Sequence, residues 1–333
     1  MNQIDVYGIG NALVDKEFEV EDSFFEEAGI EKGFMTLIEE DKQQQLLDLL
    51  ASRYPLKKQA GGGSAANSLY ALSQFGGKAF YSCKVASDEP GDFYMAELGN
   101  HNIETNLLPE REAGTTGRCL VMVTPDAERT MLTHLGISQY VSDQDLHPES
   151  IKQAKYIYIE GYLVTSDSAR TAAKRLRQIA EDNQVKTAMT FSDPAMVEYF
   201  RDGVNEVLGK GVDMLFCNEQ EAKIWSGEED FDAACNKLKT VATQFAITRG
   251  ARGARLFDGN RYIDIAAHKV KAVDTNGAGD MFSGAFMYAI TQGMSFQRAG
   301  ELASLAAATV VCEFGPRLAP EAHGAVLQKF QAA

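Results

Sequence analysis

Short apolar runs and amphipathic runs alternate along most of this chain. Ile4–Ile9 and residues 79–85, 156–160, 186–191, 214–217 and 245–248 have strand length and are bounded by turn-forming residues. Between them, residues 64–75 place apolar or small side chains at 65, 66, 69, 72 and 75, the spacing of one helix face. Residues 169–182, 232–242 and 297–312 repeat that spacing. The alternation predicts βαβ units and a mostly parallel sheet covered by helices on both faces.

Two stretches break the rhythm. Val14, Lys16, Phe18 and Val20 alternate with Asp15, Glu17 and Glu19, a period of two. Residues 118–124 and 129–135 flank Pro125-Asp126-Ala127-Glu128, a hairpin turn. Together they predict a small antiparallel sheet, from about residues 12–38 and 113–135, acting as a lid or as a static edge extension. Without an internal repeat or Pro-rich linker, residues 1–333 read as one cooperative unit with that lid.

Composition narrows the class. Hydrophobic residues make up 45% of the chain, enough for a sizeable core. The net charge of −15 speaks against nucleic acid or an anionic membrane as partner, so an anionic ligand needs a local cation. No apolar run reaches membrane-spanning length. The N-terminal stretch lacks the basic and apolar regions of a signal peptide, which predicts a cytoplasmic location. The five cysteines are scattered without a Cys-x-x-Cys and read as reduced residues, mostly of the core. Oligomeric state is open between monomer and homodimer.

The densest chemistry lies at Asp274-Thr275-Asn276-Gly277-Ala278-Gly279-Asp280, between a strand-like segment at 268–273 and a helical one at 281–292. Bare glycines at a helix N-terminus make an anion site, and an acid in the first turn ordinarily caps it. Here the acid beside the anion site is placed to deprotonate an alcohol next to a phosphate. Such a base needs no large pKa shift, because it takes the proton late in a loose transition state.

Other motifs are weaker alone. Gly61-Gly62-Gly63-Ser64 opens a helix, with Ser64 as N-cap and Asn67 turned to ligand hydroxyls. Asn11 and Asp15 follow the first strand, at the edge where open α/β sheets bind ligands. Asn218 and Glu221 sit three apart after another strand, able to hold a hydrated Mg2+ or simply to cap a helix. Thr248, Gly250 and Gly253 form a Gly-rich loop with two arginines, suited to phosphate. There is no P-loop. Gly8-Ile9-Gly10 begins a dinucleotide fingerprint that fails at Leu13, which disfavours a nicotinamide enzyme.

The heptapeptide, with Phe282 and Gly284 after it, resembles the C-terminal signature of the ribokinase-like (PfkB) carbohydrate kinases, and Gly62–Asn67 resembles their N-terminal one. Gly10–Asp15 and Thr116-Gly117-Arg118-Cys119 are most similar to the adenosine-kinase-like branch. The resemblance spans essentially the whole chain. It implies a ribokinase-like three-layer α/β/α sandwich with a small antiparallel β lid. It implies transfer of the γ-phosphoryl group of ATP, with Mg2+, to a hydroxymethyl group of a sugar or nucleoside. Asp280 would be the general base, and the backbone of Asn276, Gly277, Ala278 and Gly279 the anion hole. Asn11, Asp15, Gly62, Gly63 and Asn67 would hold the acceptor, and Asn218, Thr248, Gly250, Gly253 and Asn276 the nucleotide. Asn218 and Glu221 would organise Mg2+ through water, and Arg129 would meet the phosphate, with Arg118 a weaker candidate. Asp274 and Gly315 would lie near a monovalent cation, K+. Adenosine kinase proper is one finer reading. A non-catalytic sugar- or nucleotide-binding regulator on the same fold is the rival from another class.

Overall fold

The computed structural model describes residues 4–33 and 35–332. Met1, Asn2 and Gln3, part of the N-terminal stretch read above, lie outside the described residues, as do Phe34 and Ala333. Fourteen strands follow in chain order: β1 (Ile4–Ile9), β2 (Leu13–Glu19), β3 (Met35–Leu37), β4 (Leu56–Gly62), β5 (Ala79–Ser82), β6 (Ile103–Thr105), β7 (Thr116–Val123), β8 (Arg129–Gly136), β9 (Ala154–Ile159), β10 (Lys186–Thr190), β11 (Val212–Asn218), β12 (Ala242–Thr248), β13 (Ala254–Phe257) and β14 (Tyr262–Ile265).

Nine of them form one sheet in the order β14-β13-β12-β11-β10-β9-β1-β5-β6. Every neighbouring pair from β12 to β6 is parallel, and β13 and β14 add an antiparallel edge. Parallel strands need crossovers, and the helices that make them cover both faces. Ser64–Gln74, Ala278–Thr291 and Phe296–Val310 pack in one core, while Asp167–Asp182, Arg201–Leu208 and Phe231–Leu238 pack in the other. This is the covered parallel sheet that the pattern predicts and the three-layer α/β/α sandwich that the resemblance implies. Gly284 sets how closely two helices of the first layer meet. A Cβ there would fall 2.2 Å from the Ser68 carbonyl oxygen. That close approach holds Asp280 against the start of the Ser64–Gln74 helix.

Five strands form the smaller sheet, ordered β3-β8-β7-β2-β4. The expected all-antiparallel sheet is in fact mixed. β2 pairs antiparallel with β4, and β7 with β8, but β2–β7 and β3–β8 are parallel. The reason is topological, since β2 and β7 both leave the same edge of the main sheet and run outward together. β4 runs back inward and leads into the Ser64–Gln74 helix; it falls outside the expected lid segments because Leu-Lys-Lys-Gln-Ala-Gly-Gly carries no apolar alternation. The outer face of this sheet buries Phe18, Leu120, Met122 and Leu132 with Leu46 and Leu50 of the helix Glu40–Arg53.

The expected strand at 268–273 is absent. These residues are irregular, and Val270 is 47% exposed, so nothing draws the segment into a sheet. Its backbone is anchored at its end, where Val273 N–H donates to the Val311 carbonyl at 2.7 Å.

Candidate active site

The carboxyl ends of β1, β9, β10, β11 and β12 open on one cavity of about 380 Å3, a size typical of small-molecule sites. Asn11, Glu160, Ser192, Asn218 and Thr248 reach it from those strand ends. Leu13, Asp15, Cys119, Arg129 and Met131 face it from the smaller sheet, and Gly277 to Asp280 close it.

Asp280 is the third residue of the helix Ala278–Thr291, yet it makes no cap. Its carboxylate reaches across to the neighbouring helix instead. Oδ1 accepts the Ser64 hydroxyl at 2.6 Å, and Oδ2 accepts from Asn67 Nδ2 at 3.1 Å. Ser64 is therefore not the N-cap expected of it. Gly63 takes that position with φ +99°, and a Cβ there would sit 2.0 Å from the Asn11 carbonyl oxygen. Burial raises the Asp280 pKa, against the opposing pull of Ser64, Asn67, Arg129 and Arg317. That rise is not legible in local sequence, because it comes from what closes over the acid.

Of the N–H groups at 276–279 expected to form an anion hole, two have partners in this structure. Asn276 N–H is committed to Asp274 Oδ1 at 2.8 Å, and Ala278 N–H points to the Thr275 carbonyl at 3.4 Å. The N–H groups of Gly277, Gly279 and Asp280 have no partner among the described residues. Gly277 has φ +71°, and Gly279 is exposed with open space where a Cβ would stand. Free donors at the positive end of a helix attract an anion.

The side of the cavity expected to take the acceptor is built on β1, β2 and the Ser64–Gln74 helix. Asp15 is 6% exposed and its carboxylate makes no hydrogen bond within the described residues. Burial pushes its pKa up to about 7, with Arg317 opposing and Asp280 adding to the rise. Asn67 is held from both ends, since its Oδ1 accepts Arg317 Nε at 2.9 Å. Asn11 is oriented by the fold: Nδ2 donates to Glu160 Oε1, and Oδ1 accepts from the Ser138 hydroxyl, which leaves one Nδ2 hydrogen on the cavity. Gly62 lies off the cavity, where a Cβ would strike the Asp15 carboxylate. Glu160 and Asp193, without a role in the sequence, are braces. Glu160 accepts from Asn11 and Ala65 N–H groups, and burial still pushes it up to about 7. Asp193 caps the helix Pro194–Tyr199.

On the side expected to take the nucleotide, Asn218 and Glu221 close a reciprocal cap on the helix Glu219–Ser226. Asn218 Nδ2 and N–H donate to the two Glu221 oxygens at 2.7 and 2.9 Å. Burial pushes Glu221 up to about 8. Thr248 and Gly250 line the cavity. Gly253 does not; with φ +84° it makes the turn into β13 against the Ile265 carbonyl. Arg129 lines the cavity with its side chain free of ion pairs among the described residues, and its buried Nε has no partner. Arg118 points away, to Gln44 and Glu40.

Three residues escaped the sequence. Arg317, 5% exposed, orients Asn67 from 250 positions away. Glu17, 1% exposed, accepts from Asn276 Nδ2 at 3.2 Å while its Oε2 has no partner. Burial, with Asp274 and Asp15 nearby, pushes Glu17 up to about 8. Its place beside Asp15 in the period-two stretch was the available signal. Lys58 donates to the Phe314 and Arg317 carbonyls at 3.0 and 2.8 Å. Asp274 and Gly315 meet behind the glycine turn, off the cavity, and both Asp274 oxygens accept backbone N–H groups, from Asn276 and Gly315. At the place expected for K+, these groups are already engaged. The carboxylate is taken by N–H donors, and the neighbouring carbonyls are taken by an ammonium.

A free anion site, an acid beside it and an open polar floor at the edge of a parallel sheet define a phosphotransferase acting on an alcohol group. The family comparison agrees: residues 55–322 match the pfkB family carbohydrate kinase model, and the chain belongs to that family. The adenosine kinase of Sinorhizobium meliloti is 34% identical with a TM-score of 0.91, over 98% of this chain and 99% of that one. A probable sugar kinase of Rhizobium etli is 32% identical with a TM-score of 0.92, over 99% and 100%. Adenosine kinase 2 of Arabidopsis thaliana is 28% identical over 92% of this chain and 94% of its own. The chain is thus a sugar or nucleoside kinase with adenosine-kinase-like neighbours; kinases of this family use ATP, typically with Mg2+. No helix among the described residues is long and apolar enough to cross a membrane. All five cysteines are free, four buried and Cys312 exposed.

Proposed function

We propose that this chain moves the γ-phosphoryl group of ATP onto the hydroxymethyl oxygen of a nucleoside, adenosine first among them. One observation carries the reading. Asp280 is held by Ser64 and Asn67 beside the unpartnered N–H groups of its own helix, so a base and an anion site adjoin. The acceptor oxygen gives its proton to Asp280 and forms a bond to the γ-phosphorus. The bond from that phosphorus to the bridging oxygen breaks, and its electron pair leaves with ADP. The free N–H groups and Arg129 meet the charge on the transferring group. Asp15 accepts hydrogen bonds from a pair of sugar hydroxyls, and Asn67 retains an N–H for another. The smaller sheet acts as the lid that excludes water.

Mg2+ fits as a passenger of the phosphates. No group of three or more His, Cys, Asp or Glu among the described residues could cage a metal, and both Glu221 oxygens already accept hydrogen bonds. Asn218 and Glu221 would hold the ion through its water shell. When bound, the ion neutralises charge on the β- and γ-phosphate oxygens.

The nucleoside reading rests on the cavity wall. Leu13, Met35, Leu37, Met131 and Leu135 offer an apolar surface above the polar floor, which suits a flat base better than a bare sugar. The names of the adenosine kinase relatives support the same choice. The test is ATP consumption across a panel of nucleosides and sugars, with the highest kcat/KM expected for adenosine. Turnover with sugars alone would make it a sugar kinase. No turnover with any acceptor would favour the non-catalytic regulator.

A further inference from the structure

Lys58 and Glu17 stand directly opposite each other on β4 and β2, on the face turned to the site. From there Lys58 crosses to the segment 314–317, where its ammonium donates to the Phe314 carbonyl at 3.0 Å and the Arg317 carbonyl at 2.8 Å. It lies over Gly315, where a Cβ would fall 2.4 Å from Lys58 Cδ. This segment touches the anion loop at several points. Gly315 N–H donates to Asp274 Oδ2 at 2.9 Å, and Asp274 Oδ1 holds Asn276 N–H. Pro316 presses on Gly277, where a Cβ would lie 2.4 Å from Pro316 Cα. Arg317 orients Asn67, and Asn67 holds Asp280.

A concave backbone turn with two inward carbonyls and acids nearby is a cation site in its chemistry. Here the cation is covalently attached. Burial lowers the Lys58 pKa, while Glu17, Glu313 and Asp274 favour the charged form. We propose that Lys58 is a tethered cation that shapes the loop behind Gly277–Asp280, so that the chain turns over without a dissociable monovalent cation. Lys58 is a positioning residue, since it acts through the 314–317 segment and touches no reacting atom.

The proposal rests on the kinase reading, and its test separates the two. Turnover and melting temperature of the parent and of Lys58→Met are measured at equal ionic strength in potassium, ammonium or tetramethylammonium chloride. The parent is expected to give the same kcat and melting temperature in all three. Lys58→Met is expected to lose about tenfold or more in kcat in tetramethylammonium, as a displaced loop would cause. Potassium or ammonium should restore its rate and raise its melting temperature, and Lys58→Arg should retain more rate than Lys58→Met. A parent that needs potassium or ammonium, a Lys58→Met variant as fast as the parent in tetramethylammonium, or a loss that neither ion restores would each overturn the proposal. Should Lys58→Met fail to fold, the parent's cation dependence decides alone. A parent without turnover in any salt overturns the kinase reading. Its melting temperature still tests this inference, because a rise in potassium over tetramethylammonium would count against it.

Discussion

Of the helices that begin on the cavity, two carry an acid at the third position. At the helix Glu219–Ser226 the cap is Asn218, and Glu221 bonds back to it, so the first turn is satisfied by its own side chains. At the helix Ala278–Thr291 the cap is Gly277 and offers no side chain. Asp280 turns outward to Ser64 and Asn67, and three N–H groups have no partner among the described residues. The offset is the same and the use is opposite. One residue before each helix, Asn or Gly, decides whether the acid completes the structure or is left available for chemistry.

Exchanging the acids for amides sharpens this contrast most. Asp280→Asn should lower kcat by about 10³-fold, leaving acceptor KM and melting temperature near the parent's, as steady-state kinetics would read. Parental turnover would place the base elsewhere. Gly277→Ala comes next. Its positive φ and the clash with Pro316 should cost about 10²-fold in kcat together with a lower melting temperature. Glu221→Gln should cost about tenfold in kcat and raise KM for MgATP, the outcome expected of the proposed support for a water shell and not for a reacting atom.

The acids also differ in what pH reveals. Glu221 titrates near 4.5 when unfolded and about 8 when folded. Between those values the folded chain holds the proton and the unfolded chain releases it. Stability is therefore full below 4.5 and falls as pH rises toward 8. Asp15, from 3.8 to about 7, and Glu17, from 4.5 to about 8, act in the same direction. Melting temperature without ligand should fall between pH 5 and pH 8. Glu221→Gln should flatten that fall, and an unchanged slope would remove Glu221 from it. The smallest effect belongs to Asn218→Ala, about 1 kcal/mol of stability in chemical denaturation, the usual worth of an N-cap.

Much of the layered fold was legible because strands and helices announce themselves by period, and the span of β1 matches residue for residue. Asp280 was legible because glycines on its N-terminal side leave few structural reasons for an acid there. β4 was hidden, since its lysines and glycines show no alternation and its place is fixed by pairing with β2. Arg317 and Lys58 were hidden because their partners lie about 250 positions away, and no local pattern records such contacts. The commitments of Asn276 N–H and Ser64 were misjudged for a related reason: each hydrogen bond has more than one geometrically sensible taker, and only packing chooses.

β4 ends at Gly62 and the next helix begins at Ser64, so one residue separates the smaller sheet from the acceptor floor. This junction has no slack for gained or lost length. One added residue would turn the helix face by about 100°, swinging Asn67 off Asp280. A change of pocket shape in this chain could use new loop lengths elsewhere, while here it would have to come from exchanged side chains at constant length.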